Sequence, residues 1–342
     1  MLPFKAFGLG AIFTAAFIGG IFQIWIGKML KPIRHMFPPL VTGIVVLMIG
    51  ISLLKVGFKY AGGGVWLMNN KPEIFANWEH LLIAGTVLIV ALLCNLRGKG
   101  MVSSASILIG IIAGFVMAAL LGEIRWGKIA AADWFAFPMP FQYGIDFVWG
   151  AVILMLFMSI VTTIETIGDI SATTMGGANR EATDKELSGG IMADGVGTAF
   201  ASIFNAMPNT SYSQNAGLVA FTGVISRHVG TVAGVILILL GLFPKLGGII
   251  AAMPDSVIGG AAIIMFGLIA GAGIKLISKS EMSQRNILIL ALSLSFGIGL
   301  YAFPEFVAHI PDFGIKLKLL LTTGLIPAGL LAFILNATLP KK

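Results

Sequence analysis

Apolar runs of about twenty residues, each long enough to cross the hydrocarbon core of a bilayer, recur from one end of this chain to the other. A fold in water has no use for so many. Only 11% of the 342 residues are charged, against about 25% in a typical soluble domain, too few to cover a water-facing surface. The 44 glycines suit helices that approach closely in lipid, where small residues let backbones meet. The chain therefore reads as an all-α polytopic membrane protein. Its net charge of +7 comes from basic residues scattered singly through loops, which argues against a nucleic-acid partner and for sorting by the positive-inside rule. Cys94 is the only cysteine, so neither a disulfide framework nor a multi-cysteine metal site is expected.

The runs predict about eleven membrane segments, near 7–27, 38–57, 81–96, 101–121, 146–170, 188–206, 210–226, 229–250, 255–276, 286–303 and 318–339. Strict alternation puts the majority of the basic residues, Lys28, Arg97, Arg180, Arg227 and Arg285 among them, on one side. That side is expected to be cytoplasmic, with the C-terminus inside and Met1 outside. His35, His80, His228 and His309 fall at segment ends or in loops and are expected at the interface. An internal repeat runs at an offset of about 214–216 residues. Gly20-IFQIWI-Gly27, Pro38-PLVT-Gly43 and Gly57-F-Lys59 echo Gly234-VILILL-Gly241, Pro254-DSVI-Gly259 and Gly273-I-Lys275. Such repeats mark secondary transporters with a substrate site near the midplane. In the second copy three segments precede the matching pair. In the first almost none do, so the chain reads as lacking about three N-terminal segments.

Three polar constellations interrupt the apolar background. Thr162, Glu165, Asp169 and Thr173 are spaced to share one face of the helix near 146–170. A carboxylate at the centre of a spanning helix costs roughly 3 kcal/mol, and its presence there points to function. Asp194, Thr198, Ser202 and Asn205 form a second stripe on the next helix. Asp194 reads equally as a proton site and as a structural acceptor. The third constellation, Pro208 to Asn215, is too polar for lipid and reads as a short extended stretch followed by a half-helix. Its Gln214 offers a donor and an acceptor side by side, and its Tyr212 a stacking face, a set that suits a flat heterocycle.

At these residues the chain resembles the nucleobase–ascorbate transporter family, or nucleobase:cation symporter-2. The family signature Q/E-N-x-G-x4-T stands here as Gln214-Asn215-Ala216-Gly217-LVAF-Thr222, with Gly223 after it. E-T-x-G-D stands as Glu165-Thr166-Ile167-Gly168-Asp169, and A-D-G as Ala193-Asp194-Gly195. The resemblance implies a 7+7 inverted-repeat transporter fold, of which about eleven of fourteen segments are present. Its core would comprise 1–36 and 146–250, and its gate 37–145 and 251–342. It implies that Glu165 and Gln214 hydrogen-bond the nucleobase edge, that Tyr212 and Ser213 lie beside it, and that Asn215 braces the broken segment. Asp169 and Asp194 would belong to the coupling network. Glutamine at the first motif position, with Thr222-Gly223, is similar to xanthine and urate carriers.

The expected function is import of a purine nucleobase across the cell membrane by proton symport. The proton gradient is the energy source, with no cofactor and no metal, and a homodimer is expected by analogy. No nucleophile–base arrangement suggests an enzyme. Two rivals stand beside this reading: a sulfate-type anion carrier on the same fold, which would want a basic residue at the broken segment, and a transport-silent membrane fragment.

Overall fold

The computed structural model describes residues 7–30, 38–212, 215, 219, 224–308 and 321–340. Among these, the principal helices are α1 (Leu9–Lys28), α2 (Pro39–Ala61), α3 (Trp78–Arg97), α4 (Ser106–Leu120), α5 (Trp149–Ala178), α6 (Asp184–Ile203), α7 (Arg227–Gly241), α8 (Pro244–Ala252), α9 (Asp255–Ile277), α10 (Gln284–Ala302) and α11 (Leu325–Thr338). No strand occurs among the described residues. Among the described residues, six helices are long and apolar enough to span a membrane, seven if α7 and α8 count as one broken span. Large apolar side chains such as Ile89, Leu92 and Leu96 of α3 and Phe296 of α10 stand exposed. In water such a surface would aggregate; against lipid it is the stable arrangement.

Three expected segments need correction. The stretch 229–250 is two helices meeting at 81°. Gly241 closes α7, and Pro244, which has no N–H to donate, opens α8. The helix of the first polar stripe runs on to Ala178, where Asn179 ends it in the left-handed conformation (φ 54°). The next begins at Asp184, because Thr183 and Glu186 form a reciprocal capping box.

Contacts divide the chain into two compact units. The first holds Met1–Val45, Pro138–Ser226 and Lys275–Lys342. In it, α1 packs on both α5 and α6 through glycines. A Cβ at Gly20 would press on Gly195 and Ala199, and one at Gly27 on Met192. Two serines tie the helices together across these close approaches: Ser159 Oγ donates to the Gly19 carbonyl at 3.0 Å, and Ser188 Oγ to that of Gly27 at 2.7 Å. At the other end of this unit Arg285 reaches the Asn336 and Leu339 carbonyls at the end of α11, satisfying acceptors that a helix end leaves open.

The second unit holds Val46–Phe137 and Arg227–Ile274. Its core gathers Ile83 and Val87 of α3, Ala118 of α4, and Val257 and Ala261 of α9. The repeat is visible here. α2 and α9 each have 23 residues, and each begins directly after the matched proline, Pro38 or Pro254. They lie antiparallel. Gly57 meets Ile263 while its counterpart Gly273 meets Leu47, the counterpart of Ile263. The two contacts are one contact with its partners exchanged, as an inverted repeat requires. His80 departs from expectation: it lies in the first turn of α3, only 7% exposed, with its ring against Gly63. Its Nδ1 meets no hydrogen-bond partner among the described residues. His228 stands exposed in the first turn of α7, as an interface residue should. His35 and His309 lie outside the described residues.

Candidate functional site

The site grows from the end of α6. After Ile203 the chain turns back through Asn205, which takes a positive φ of 61° and donates from Nδ2 to the Met139 carbonyl at 2.7 Å. Residues 206–212 then run without helix. Backbone of this kind survives at membrane depth only when protein satisfies it, and the neighbouring stripes supply the partners. Thr198 Oγ1 of α6 donates to Asn209 Oδ1 at 2.9 Å and lies 3.2 Å from its carbonyl. Gly197 makes room for this contact, since a Cβ there would sit 2.7 Å from the Asn209 amide nitrogen.

The same irregular segment faces α5. Thr210 Oγ1 donates to Glu165 at 3.4 Å, and Ser211 Oγ to Asp169 at 2.5 Å. Thr166, one position on from Glu165, turns to the adjoining face and donates to Asp194 of α6. Asp169 and Asp194 both stand close enough to act on the charge of Glu165. Two carboxyls of α5 thus hold one piece of irregular backbone, and Asp194 of α6 stands near Glu165. Glu165, Asp169 and Asp194 are all half-buried, whereas Tyr212 is exposed. Asn215 is exposed too, and its N–H donates to the Tyr212 carbonyl at 3.0 Å. Ser213 and Gln214 lie outside the described residues.

The structure thus brings Glu165, Asp169 and Asp194 together with the segment that carries Tyr212 and Asn215. Sequence reasoning put Thr198 on the second polar stripe, but gave no role to Asn209, which Thr198 holds, or to Thr166, which joins α5 to Asp194. Thr166 stood inside the E-T-x-G-D run, and the sequence signal was its spacing onto the face that meets the next helix. Gln23 of α1 was also missed. It is 2% exposed, and its Nε2 has no partner among the described residues. A glutamine in an otherwise apolar span was the available signal.

Comparison with known proteins decides the family. The Permease family model matches residues 5–306. The chain belongs to this permease family. The permease is 34% identical over 338 residues to the xanthine permease XanP of Escherichia coli strain K12, covering 98% of this chain and 72% of the relative. It is also 34% identical over 332 residues to the uric acid permease PucJ of Bacillus subtilis strain 168, covering 96% and 73%. Among solved structures, the transmembrane domain of a cyanobacterial bicarbonate transporter shares the fold of the permease. The TM-score is 0.50 at 16% identity, over 97% of this chain and 78% of the other. The relatives are transporters, so the permease is a multi-pass membrane protein and not an enzyme.

Proposed function

We propose that this permease imports a purine nucleobase, xanthine or urate, together with protons. One observation carries the reading: an unwound segment inside an apolar unit is held by two of its hydroxyls to the carboxyls of Glu165 and Asp169. Xanthine and uric acid are the solutes named for the two relatives above. In the proposed site Glu165 and Gln214 hydrogen-bond the purine edge. Tyr212 and Ser213 lie beside the ring, and Asn215 braces the segment. A buried edge group left unpaired costs roughly 1–3 kcal/mol, which is how such a site rejects near-isosteric solutes.

Asp169 and Asp194, with Glu165, form the proposed proton path. Three carboxyls this close resist carrying three charges at once, and a proton bound on entry relieves that repulsion. The proton gradient drives the cycle without a cofactor, as the core (1–36, 146–250) moves against the gate (37–145, 251–342). The cell membrane houses the protein as a homodimer, with its C-terminus cytoplasmic.

The test is uptake of radiolabelled xanthine and urate by cells expressing the permease. Glu165→Gln and Gln214→Ala should each abolish uptake while membrane insertion stays intact; normal uptake in both overturns the site. An uncoupler should stop accumulation, and accumulation that persists removes the proton. Excess sulfate should not compete.

A further inference from the structure

The carboxyl cluster does not end at the unwound segment. A cavity of about 530 Å³ opens beside it, reaching from Asp169, Ser211 and Tyr212 along the last turns of α5 to Arg180 and Glu186. That volume falls within the roughly 300–1,000 Å³ range of small-molecule pockets. Arg180 and Glu186 are half-exposed, so their end is the mouth, and Asp169 lies at the inner end.

The charge on the wall is uneven. Asp169 and Glu186 are acidic, and Arg180 is the one cation among the described residues that line it. Arg180 is partly engaged. Its Nη1 donates to Glu186 Oε2 at 2.8 Å and to the Glu181 carbonyl at 3.0 Å. Its Nη2 donates to Glu186 Oε1 at 2.5 Å. A guanidinium has five N–H donors in a fixed fork. Nε and the second hydrogen of Nη2 form its other, side-on pair, and among the described residues neither has an acceptor. Arg180 can therefore keep Glu186 end-on while offering two parallel donors to a planar anion, the geometry in which arginine binds strongly.

We propose that this cavity is a second purine station between the unwound segment and the α5–α6 turn, and that Arg180 makes it selective for the anionic form of the solute. The inference rests on the permease reading above. Urate loses its first proton below neutrality, whereas xanthine keeps its proton in mildly acidic solution. The two share a purine frame and differ there in charge. With two carboxyls on the wall, an anion needs the guanidinium and a neutral purine does not. Glu186 stays ionised because Arg180 and the Thr183 hydrogen bonds hold its carboxyl well below the usual carboxylate range. Among the described residues that line the cavity, Arg180 is the one cation to offset that charge.

The experiment compares the full chain with Arg180→Gln and Arg180→Lys in proteoliposomes, measuring KM for urate and for xanthine at mildly acidic pH. Loss of one charge-assisted hydrogen-bonding group should raise the urate KM roughly tenfold and leave that for xanthine unchanged. Lysine should recover part of the loss, since it keeps the charge but not the fork. In stronger acid, where uric acid is neutral, wild type and Arg180→Gln should converge. An equal change for both solutes, or for neither, overturns the station. A wild-type protein that takes up neither purine refutes the transport reading itself, and the station falls with it.

Discussion

Ser211 spans the gap between the unwound segment and Asp169 with one hydroxyl, and Thr210 does the same for Glu165 over a longer distance. A hydrogen bond to an ionised group contributes about 1.5–3 kcal/mol, enough to decide where a seven-residue piece of unsupported backbone rests. Ser211→Ala should therefore raise the KM for purine uptake by roughly a factor of ten, with Ser211→Thr close to wild type. An unchanged KM in the alanine variant would mean that Asp169 does not position the segment. Thr166 plays the parallel part for Asp194. Thr166→Val keeps the shape and removes the donor, so transport should fall while the amount of folded protein holds. A hydroxyl also has a property that an amide N–H lacks: it can donate to a carboxylate or accept from the protonated acid. The segment thus stays tethered whether or not Asp169 carries a proton.

At the scale of elements, the turn between α5 and α6 depends on a few side chains. Asn179 stops one helix in a left-handed conformation, and Thr183 with Glu186 starts the next. Thr183→Ala should cost about 1 kcal/mol of stability at this helix start, seen as faster amide exchange in the first turn of α6. The pH dependence has a definite sign. Arg180 and Thr183 depress the Glu186 carboxyl in the folded protein. Its stabilising contribution is therefore complete above the ordinary carboxylate value, and is lost only as pH falls through the lower folded value. The protection factor of this turn, its exchange relative to the intrinsic rate at each pH, should be flat from about pH 8 to pH 5 and fall in stronger acid; a fall beginning near neutrality would contradict the pair. Sequence made much of this scale legible. Apolar runs located the spanning helices, and three- and four-residue spacing put Glu165 and Asp169 on one face. The bend at Gly241–Pro244 was not legible as a break, because the apolar character runs straight through it. The start of α6 was placed four residues late because its cap is polar while hydropathy rises only later. His80 was placed at the interface because a polar residue near a segment end looks the same whether loop backbone covers it or not. Which of Thr162 and Thr166 would serve a neighbouring helix depended on packing that spacing alone does not encode.

Across the whole molecule, the feature most directly foreshadowed by the repeat is the antiparallel pairing of α2 and α9. Its glycines divide into two kinds. A Cβ at Gly273 would collide with the backbone of Leu47, whereas one at Gly271 would meet open space. Gly273→Val should thus abolish the folded, monodisperse peak in detergent. Gly271→Ala should leave it in place and, as a glycine replaced within a helix, add about 0.5–1 kcal/mol; equal behaviour of the two variants would count against the pairing. Leu47 on Gly273 and Ile263 on Gly57 are the same bearing built twice and facing opposite ways. Turned end over end, the pair maps onto itself, so it has no top or bottom of its own. These contacts therefore do not by themselves distinguish one side of the membrane from the other.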